Sequence, residues 1–250
     1  MAKGASKYAE HWLLDPDIAF LNHGSFGACP KAILEQQSRL REQIEFEPIQ
    51  FLDREGPGRL AEAVDALAGF LDARPLDLAF VPNATTGVNS VLRSLQWVPG
   101  DRIIVTDQGY PACANAAKYL AHRFGVIVDV VPIPFPIQSP DQAIENILAA
   151  ARPETKLALV DHVTSPTALV LPIKKIVEKL GRLGVDTLVD GAHAPGMVDL
   201  NVPDIGAAYY VGNCHKWLCA PKGAGFLWVR EDRKPRLHPL SISLGYRGSQ

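Results

Sequence analysis

The stretch Val185-Asp186-Thr187-Leu188-Val189-Asp190-Gly191-Ala192-His193 decides the fold. Its apolar run has the composition of a strand buried on both faces. It ends on a carboxylate, Asp190, and then on a glycine that lets the chain turn sharply. A second run, Ala207-Ala208-Tyr209-Tyr210-Val211, delivers Gly212-Asn213-Cys214-His215-Lys216 in the same way. Open parallel sheets bind ligands beyond the carboxyl ends of their strands. One carboxylate, two imidazoles and one amine are therefore expected at one sheet edge. An amine set among Cys214, Trp217 and Leu218 is desolvated and its pKa pulled down, which makes Lys216 a candidate imine-forming nucleophile.

Outward from these two runs the same rhythm repeats. Strands are expected at 78–81, 101–106, 126–131 and 156–161, and helices at 31–47, 59–71, 88–95, 111–123, 141–151 and 172–183. Helix 59–71, for instance, places Leu60, Val64, Leu67, Ala68 and Leu71 on one face. Strand alternating with helix predicts an α/β fold, a mostly parallel sheet of the seven-stranded type with helices on both faces. After Lys216 the rhythm changes. The interval before Gly223-Ala224-Gly225-Phe226-Leu227-Trp228-Val229-Arg230 is too short for a crossover helix, so that strand is expected to run antiparallel to its neighbour. Pro48 and the cluster Gly56-Pro57-Gly58 read as punctuation, and the proline-rich 132–140 segment as a loop. Residues 8–30 look irregular. Within them Asn22-His23-Gly24-Ser25-Phe26-Gly27 reads as a tight loop, with backbone held close to a ligand as the alternative.

A polar tip follows each of five expected strands: Asn83–Gly87, Gln108–Tyr110, Thr164–Thr167, Asp190–His193 and Asn213–Lys216. The chemistry they suit is specific. Thr85 and Thr86 sit where a helix start offers unpaired N–H groups to a phosphate. Tyr110 can stack on a flat ring, Asp190 can hold a protonated ring nitrogen, and Lys216 can form an imine with an aldehyde. Pyridoxal 5′-phosphate (PLP) presents all four features. The glycine spacings of a Walker loop or a dinucleotide fingerprint are absent. Taken singly, most of these residues also have plain structural readings: Asp190 as a turn cap, His193 and His215 as core histidines, Tyr110 as a packing aromatic, Thr85 or Asn83 as a helix cap. No metal is expected, because Cys214-x4-Cys219 with apolar residues between is a poor zinc spacing.

The totals are those of a globular protein. The chain has 250 residues, a net charge of −2 and evenly spread acids and bases, which argues against nucleic-acid or membrane partners. The four cysteines form no framework pattern, and the polar start 1–7 has no apolar core of a secretory signal; a cytoplasmic location is the expectation.

The motifs Leu188-Val189-Asp190-Gly191-Ala192-His193-Ala194-Pro195-Gly196 and Gly212-Asn213-Cys214-His215-Lys216-Trp217-Leu218 resemble the class V aminotransferase family of fold-type I PLP enzymes. Asn22–Gly27 and Asn83-Ala84-Thr85-Thr86-Gly87-Val88-Asn89 narrow the resemblance to the isopenicillin N epimerase-like branch, which also holds L-cysteine desulfhydrases and related C–S lyases. The resemblance implies that Lys216 forms the Schiff base with PLP and then shuttles the substrate α-proton. It makes Asp190 the partner of the pyridine nitrogen. His193 and Ser165 take the positions that contact the ring 3-oxygen, Thr85, Thr86, Asn213 and His215 those of phosphate ligands, and Tyr110 that of the stacking group. Thr164 and Asn22 are secondary candidates for substrate contacts.

From the same resemblance follow an N-terminal segment, 1–30, that contacts the active site, a PLP-binding large domain, 31–250, and a homodimer acting on a small amino-acid substrate. Relatives continue into a smaller C-terminal domain that typically supplies the arginine for the substrate carboxylate. This chain stops at Gln250, and that domain is expected to be absent. The expected function is an isopenicillin N epimerase-like reaction begun by α-proton abstraction. The alternatives are a desulfhydrase- or desulfurase-type C–S lyase and a truncated, non-catalytic PLP-fold protein.

Overall fold

The structure, a computed structural model, describes residues 6–243. The polar start at 1–5 and the chain end at Gln250 lie outside the described residues. In chain order the elements are α1 (Lys31–Phe46), α2 (Gly56–Phe70), β1 (Leu78–Val81), α3 (Ala84–Ser94), β2 (Arg102–Thr106), α4 (Pro111–Phe124), β3 (Ile127–Val131), α5 (Pro140–Ala150), β4 (Thr155–Asp161), α6 (Ile173–Arg182), β5 (Asp186–Gly191), α7 (Val202–Ile205), β6 (Tyr209–Asn213) and β7 (Gly225–Val229).

The seven strands form one sheet in the order β1-β7-β6-β5-β4-β2-β3. β2 runs parallel to β3 and β4, and β4 to β5. The Ala208 amide donates to the Thr187 carbonyl and extends the parallel set to β6. β7 is antiparallel to β1, with Leu78 opposite Trp228 and Val81 opposite Gly225. It is antiparallel to β6 as well: Cys214 donates to Ala224 at one end and Arg230 to Ala208 at the other. The short interval after Lys216 thus has the consequence expected of it. In β5, Leu188 and Val189 have no exposed surface, and Tyr209, Tyr210 and Phe226 are the largest fully buried side chains. Burial on both faces is why these strands read as continuous apolar runs.

Two helices start earlier than the sequence reading has them. α2 starts at Gly56, not at 59, and continues from a π-helical turn, Gln50–Glu55. Pro57 sits in its first turn, where a missing N–H is harmless, so the Gly-Pro-Gly triplet opens a helix instead of interrupting the chain. α3 starts at Ala84, not at 88, which puts Thr85 and Thr86 inside its first turn. α1 buries no residue, in keeping with its charged sequence.

Packing divides the chain into two compact units. One comprises Met1–Ala84, Gly191–Asp204 and Val211–Trp228; the other comprises Thr85–Asp190, Ile205–Tyr210 and Val229–Gln250. The first holds α1, α2 and the antiparallel β1–β7 pair. The second holds β2, β3 and β4 with α4, α5 and α6. There Arg233 makes a two-pronged ion pair with Asp186 (2.7 and 2.8 Å), which ties the segment after β7 back to the start of β5.

Candidate active site

In the first unit the chemistry gathers around Lys216, which follows β6 and is only 8% exposed. Its Nζ lies 3.1 Å from His193 Nε2, and the Trp217 indole N–H donates to His193 Nδ1 at 3.3 Å. Burial, assisted by the Lys216 charge, lowers the His193 pKa to about 4, so the ring is neutral at pH 7. Over this group lies the Asn22–Gly27 loop. A Cβ on Gly24 would come within 3.2 Å of both the His193 ring and the Trp217 ring, and one on Gly27 would overlap the His215 and Lys216 carbonyl oxygens. The backbone at 24–27 is indeed held close, but to the chain's own lysine segment; a side chain at Gly27 would have no room, and one at Gly24 would ask the two rings to give by a few tenths of an ångström.

Asn213 closes β6 and is buried. Its Oδ1 accepts the N–H of Ala84, the first residue of α3, at 2.8 Å. The acceptor for this helix-start N–H thus comes from 129 positions away in the chain. Acceptance by Oδ1 also identifies Nδ2 as the end with donors to offer. Asn213→Ala is expected to lower stability by about 1 kcal/mol, because a helix-start donor loses its acceptor, and a urea unfolding midpoint measures it. His215 donates from Nδ1 to the Ala224 carbonyl at 2.7 Å, which fixes the ring and leaves Nε2 for a ligand. Burial lowers its pKa, the Ala224 carbonyl opposes this, and the charges of Lys216 and Lys222 add to the lowering. Burial pushes the Cys214 thiol up to about 11, so it stays protonated and unreactive.

In the second unit the centre is Asp190, 2% exposed near the end of β5. The Cys113 thiol on α4 donates to its Oδ2 at 3.1 Å, and its carbonyl accepts the His162 amide at 2.8 Å. The Tyr210 hydroxyl lies 2.9 Å from His162 Nδ1; burial and then the Asp190 charge raise the Tyr210 pKa. Thr85 and Thr86 stand half-buried in the first turn of α3. Tyr110 precedes α4 with its ring 41% exposed, and Ser165 is half-buried in the turn after β4. Thr164, fully buried, is engaged structurally: its hydroxyl lies 2.8 Å from that of Thr167 and accepts the Leu169 N–H at 2.8 Å. Asn22 likewise spends its amide within its loop, on Ser25.

The structure thus brings Lys216, His193, Asn213 and His215 into one unit, and Asp190, Thr85, Thr86, Tyr110 and Ser165 into the other. Cys113, Tyr210 and His162, which support Asp190, escaped the sequence reading. Their one signal was that polar groups fall on apolar elements, and that carries no information about the partner. Among the described residues no cluster of three or more His, Cys, Asp or Glu could hold a metal, and no helix is long and apolar enough to cross a membrane.

Burial of His162 lowers its pKa to about 4 as well. The unfolded chain protonates both His162 and His193 near 6.5, whereas the folded chain keeps them neutral down to about 4. Between those values the unfolded state binds more protons, so stability rises with pH. The urea midpoint is expected to fall from pH 7 to pH 5, and His162→Asn is expected to lessen that fall.

The residues fit PLP. A buried amine flanked by a neutral imidazole is suited to an aldehyde, a nearly inaccessible carboxylate to a protonated ring nitrogen, and a helix start with two threonines to a phosphate. The comparisons agree. The family model "Aminotransferase class-V" matches residues 58–247, so the chain belongs to the class V aminotransferase family, whose members use pyridoxal phosphate. Isopenicillin N epimerase of Amycolatopsis lactamdurans is 40% identical over 237 residues, covering 94% of this chain and 59% of that protein. A probable chloroplastic L-cysteine desulfhydrase of Arabidopsis thaliana is 33% identical, covering 91% of this chain and 50% of its own length. Among solved structures, the cystine C–S lyase C-DES in complex with its product cysteine persulfide superposes with a TM-score of 0.82 at 26% identity, over 94% of this chain and 64% of that one. A C-DES mutant with glycine covalently linked to the PLP cofactor gives 0.83 at 25% identity, over 91% and 60%. The chain spans between half and three fifths of the curated relatives cited.

Proposed function

We propose that this chain carries the PLP-holding part of an enzyme that acts on an amino acid by removing its α-proton, in an isopenicillin N epimerase-like reaction. The observation that carries the reading is the Lys216 amine, 8% exposed and 3.1 Å from a neutral imidazole. When bound, PLP supplies an electron-withdrawing ring that acidifies the substrate α-carbon. The chain's own residues do the rest. Lys216 Nζ takes the aldehyde and afterwards carries the α-proton. Asp190 keeps the ring nitrogen protonated. His193 and Ser165 serve the 3-oxygen, Tyr110 covers the ring, and Thr85, Thr86, Asn213 and His215 take the phosphate.

The second reading is a C–S lyase of the L-cysteine desulfhydrase type, favoured by the likeness to C-DES and by the plant desulfhydrases among the relatives. A desulfurase that stores sulfur needs a reactive thiol, and the raised pKa values of Cys29 and Cys214 argue against those two. A cytoplasmic homodimer belongs to the same proposal. Free cysteines support the compartment, and exposed Leu21 and Phe46 supply apolar surface for a second copy. The test incubates PLP-loaded protein with an amino-acid panel, L-cysteine included, in deuterated water. Deuterium at a racemised α-carbon supports epimerisation, and sulfide release supports the lyase. A protein that binds PLP and does neither supports the non-catalytic reading.

A further inference from the structure

Trp217 is absorbed by none of the roles above, yet it touches the central pair. Its indole nitrogen is a donor only, with no lone pair to offer. The N–H points at His193 Nδ1 at 3.3 Å, so Nδ1 must accept and cannot itself carry a proton. A neutral imidazole then has its proton on Nε2, the nitrogen 3.1 Å from Lys216 Nζ. A donor facing an amine at that distance requires a lone pair on the amine, which only the uncharged –NH2 form has. Were the amine an ammonium donating to Nε2, His193 would need its proton on Nδ1, directly against the indole N–H.

We propose that Trp217 is a positioning residue: it locks His193 in the Nε2–H tautomer and thereby presents a hydrogen-bond donor to Lys216 that favours the amine's neutral, nucleophilic form. Burial, the larger cause of the lowered His193 pKa and one that does not depend on the lysine's charge, agrees, since it favours a singly protonated ring at neutral pH. The indole is itself held in place. Gly24 packs its backbone closely against both rings, so that a Cβ there would stand 3.2 Å from each, and His23 lies with its ring centroid 6.1 Å from that of Trp217. The N-terminal loop therefore fixes the donor that fixes the tautomer. The inference concerns the chain's own residues; only its catalytic meaning rests on the proposed function.

The test is a long-range 1H–15N correlation spectrum of the chain labelled with 15N-histidine, at neutral pH and without PLP, the His193 signals being those lost in His193→Gln. The expected wild-type result is a protonated Nε2 and a bare Nδ1. In Trp217→Phe, which keeps an aromatic ring and removes the N–H, the two tautomers are expected to mix. The rate at which PLP develops a borohydride-reducible link to Lys216 is expected to drop about five- to tenfold, the fold-change of one lost hydrogen bond. A wild-type Nδ1–H signal, or a tautomer unchanged in Trp217→Phe, overturns the proposal. If the variant fails to fold, the wild-type spectrum alone decides. Absence of PLP binding with the Nε2–H tautomer intact would instead count against the proposed function.

Discussion

Lys216→Ala is expected to abolish the borohydride-reducible link to PLP and to lower α-proton exchange by about 10^3-fold or more, the range spanned when a positioned proton carrier is removed. The effect is large because Lys216 serves twice, as nucleophile toward the aldehyde and as base at the α-carbon. The residue is 8% exposed, with the neutral His193 ring 3.1 Å from its Nζ. Absorbance titration with PLP and mass spectrometry of α-deuterium uptake measure the two losses separately. Lys222→Ala, six positions on and largely exposed, is the control and is expected to retain both.

The second large effect is structural. Gly27→Ala places a Cβ on the His215 and Lys216 carbonyl oxygens and 2.8 Å from Lys216 Cα. These are backbone atoms, so no rotamer change relieves the overlap, and either the 22–27 loop or the lysine segment must move. A loss of about 3 kcal/mol is expected, the upper part of the range for overpacking. Gly58→Ala is the matching control. Gly58 lies within α2 with open space where a Cβ would stand, so alanine there is expected to stabilise by about 0.5–1 kcal/mol through helix propensity. Urea midpoints of opposite sign separate close approach from any general intolerance of change at glycine. PLP binding to Gly27→Ala is expected to weaken as well, since the loop bears on the backbone that carries Lys216.

What the sequence revealed and what it hid have one physical origin. β5 and β6 were legible because a strand buried on both faces must be continuously apolar, and the polar residue that ends it marks the sheet edge. Asp190 and Asn213 were found that way. The direction of β7 followed from chain length alone. The start of α3 was not legible, because Asn83-Ala84-Thr85-Thr86 has no apolar periodicity and the first N–H of the helix finds its acceptor in Asn213, on another strand. The Cys113–Asp190 contact spans 77 residues and leaves no local trace. The Asn22–Gly27 loop read as a simple tight loop, with approach to a ligand as the alternative; what it approaches is the segment around Lys216 and the His193–Trp217 pair, a pairing no spacing rule supplies. Local chemistry is written locally; long-range partners are written only in the fold.

The most direct measurement of the central claim is to load the protein with PLP, reduce with borohydride, digest, and locate the added mass by tandem mass spectrometry. A single modification on Lys216, in the peptide that begins after the preceding basic cleavage site, is the result the account predicts. No modification, or one distributed over the surface lysines with Lys216 untouched, would contradict it.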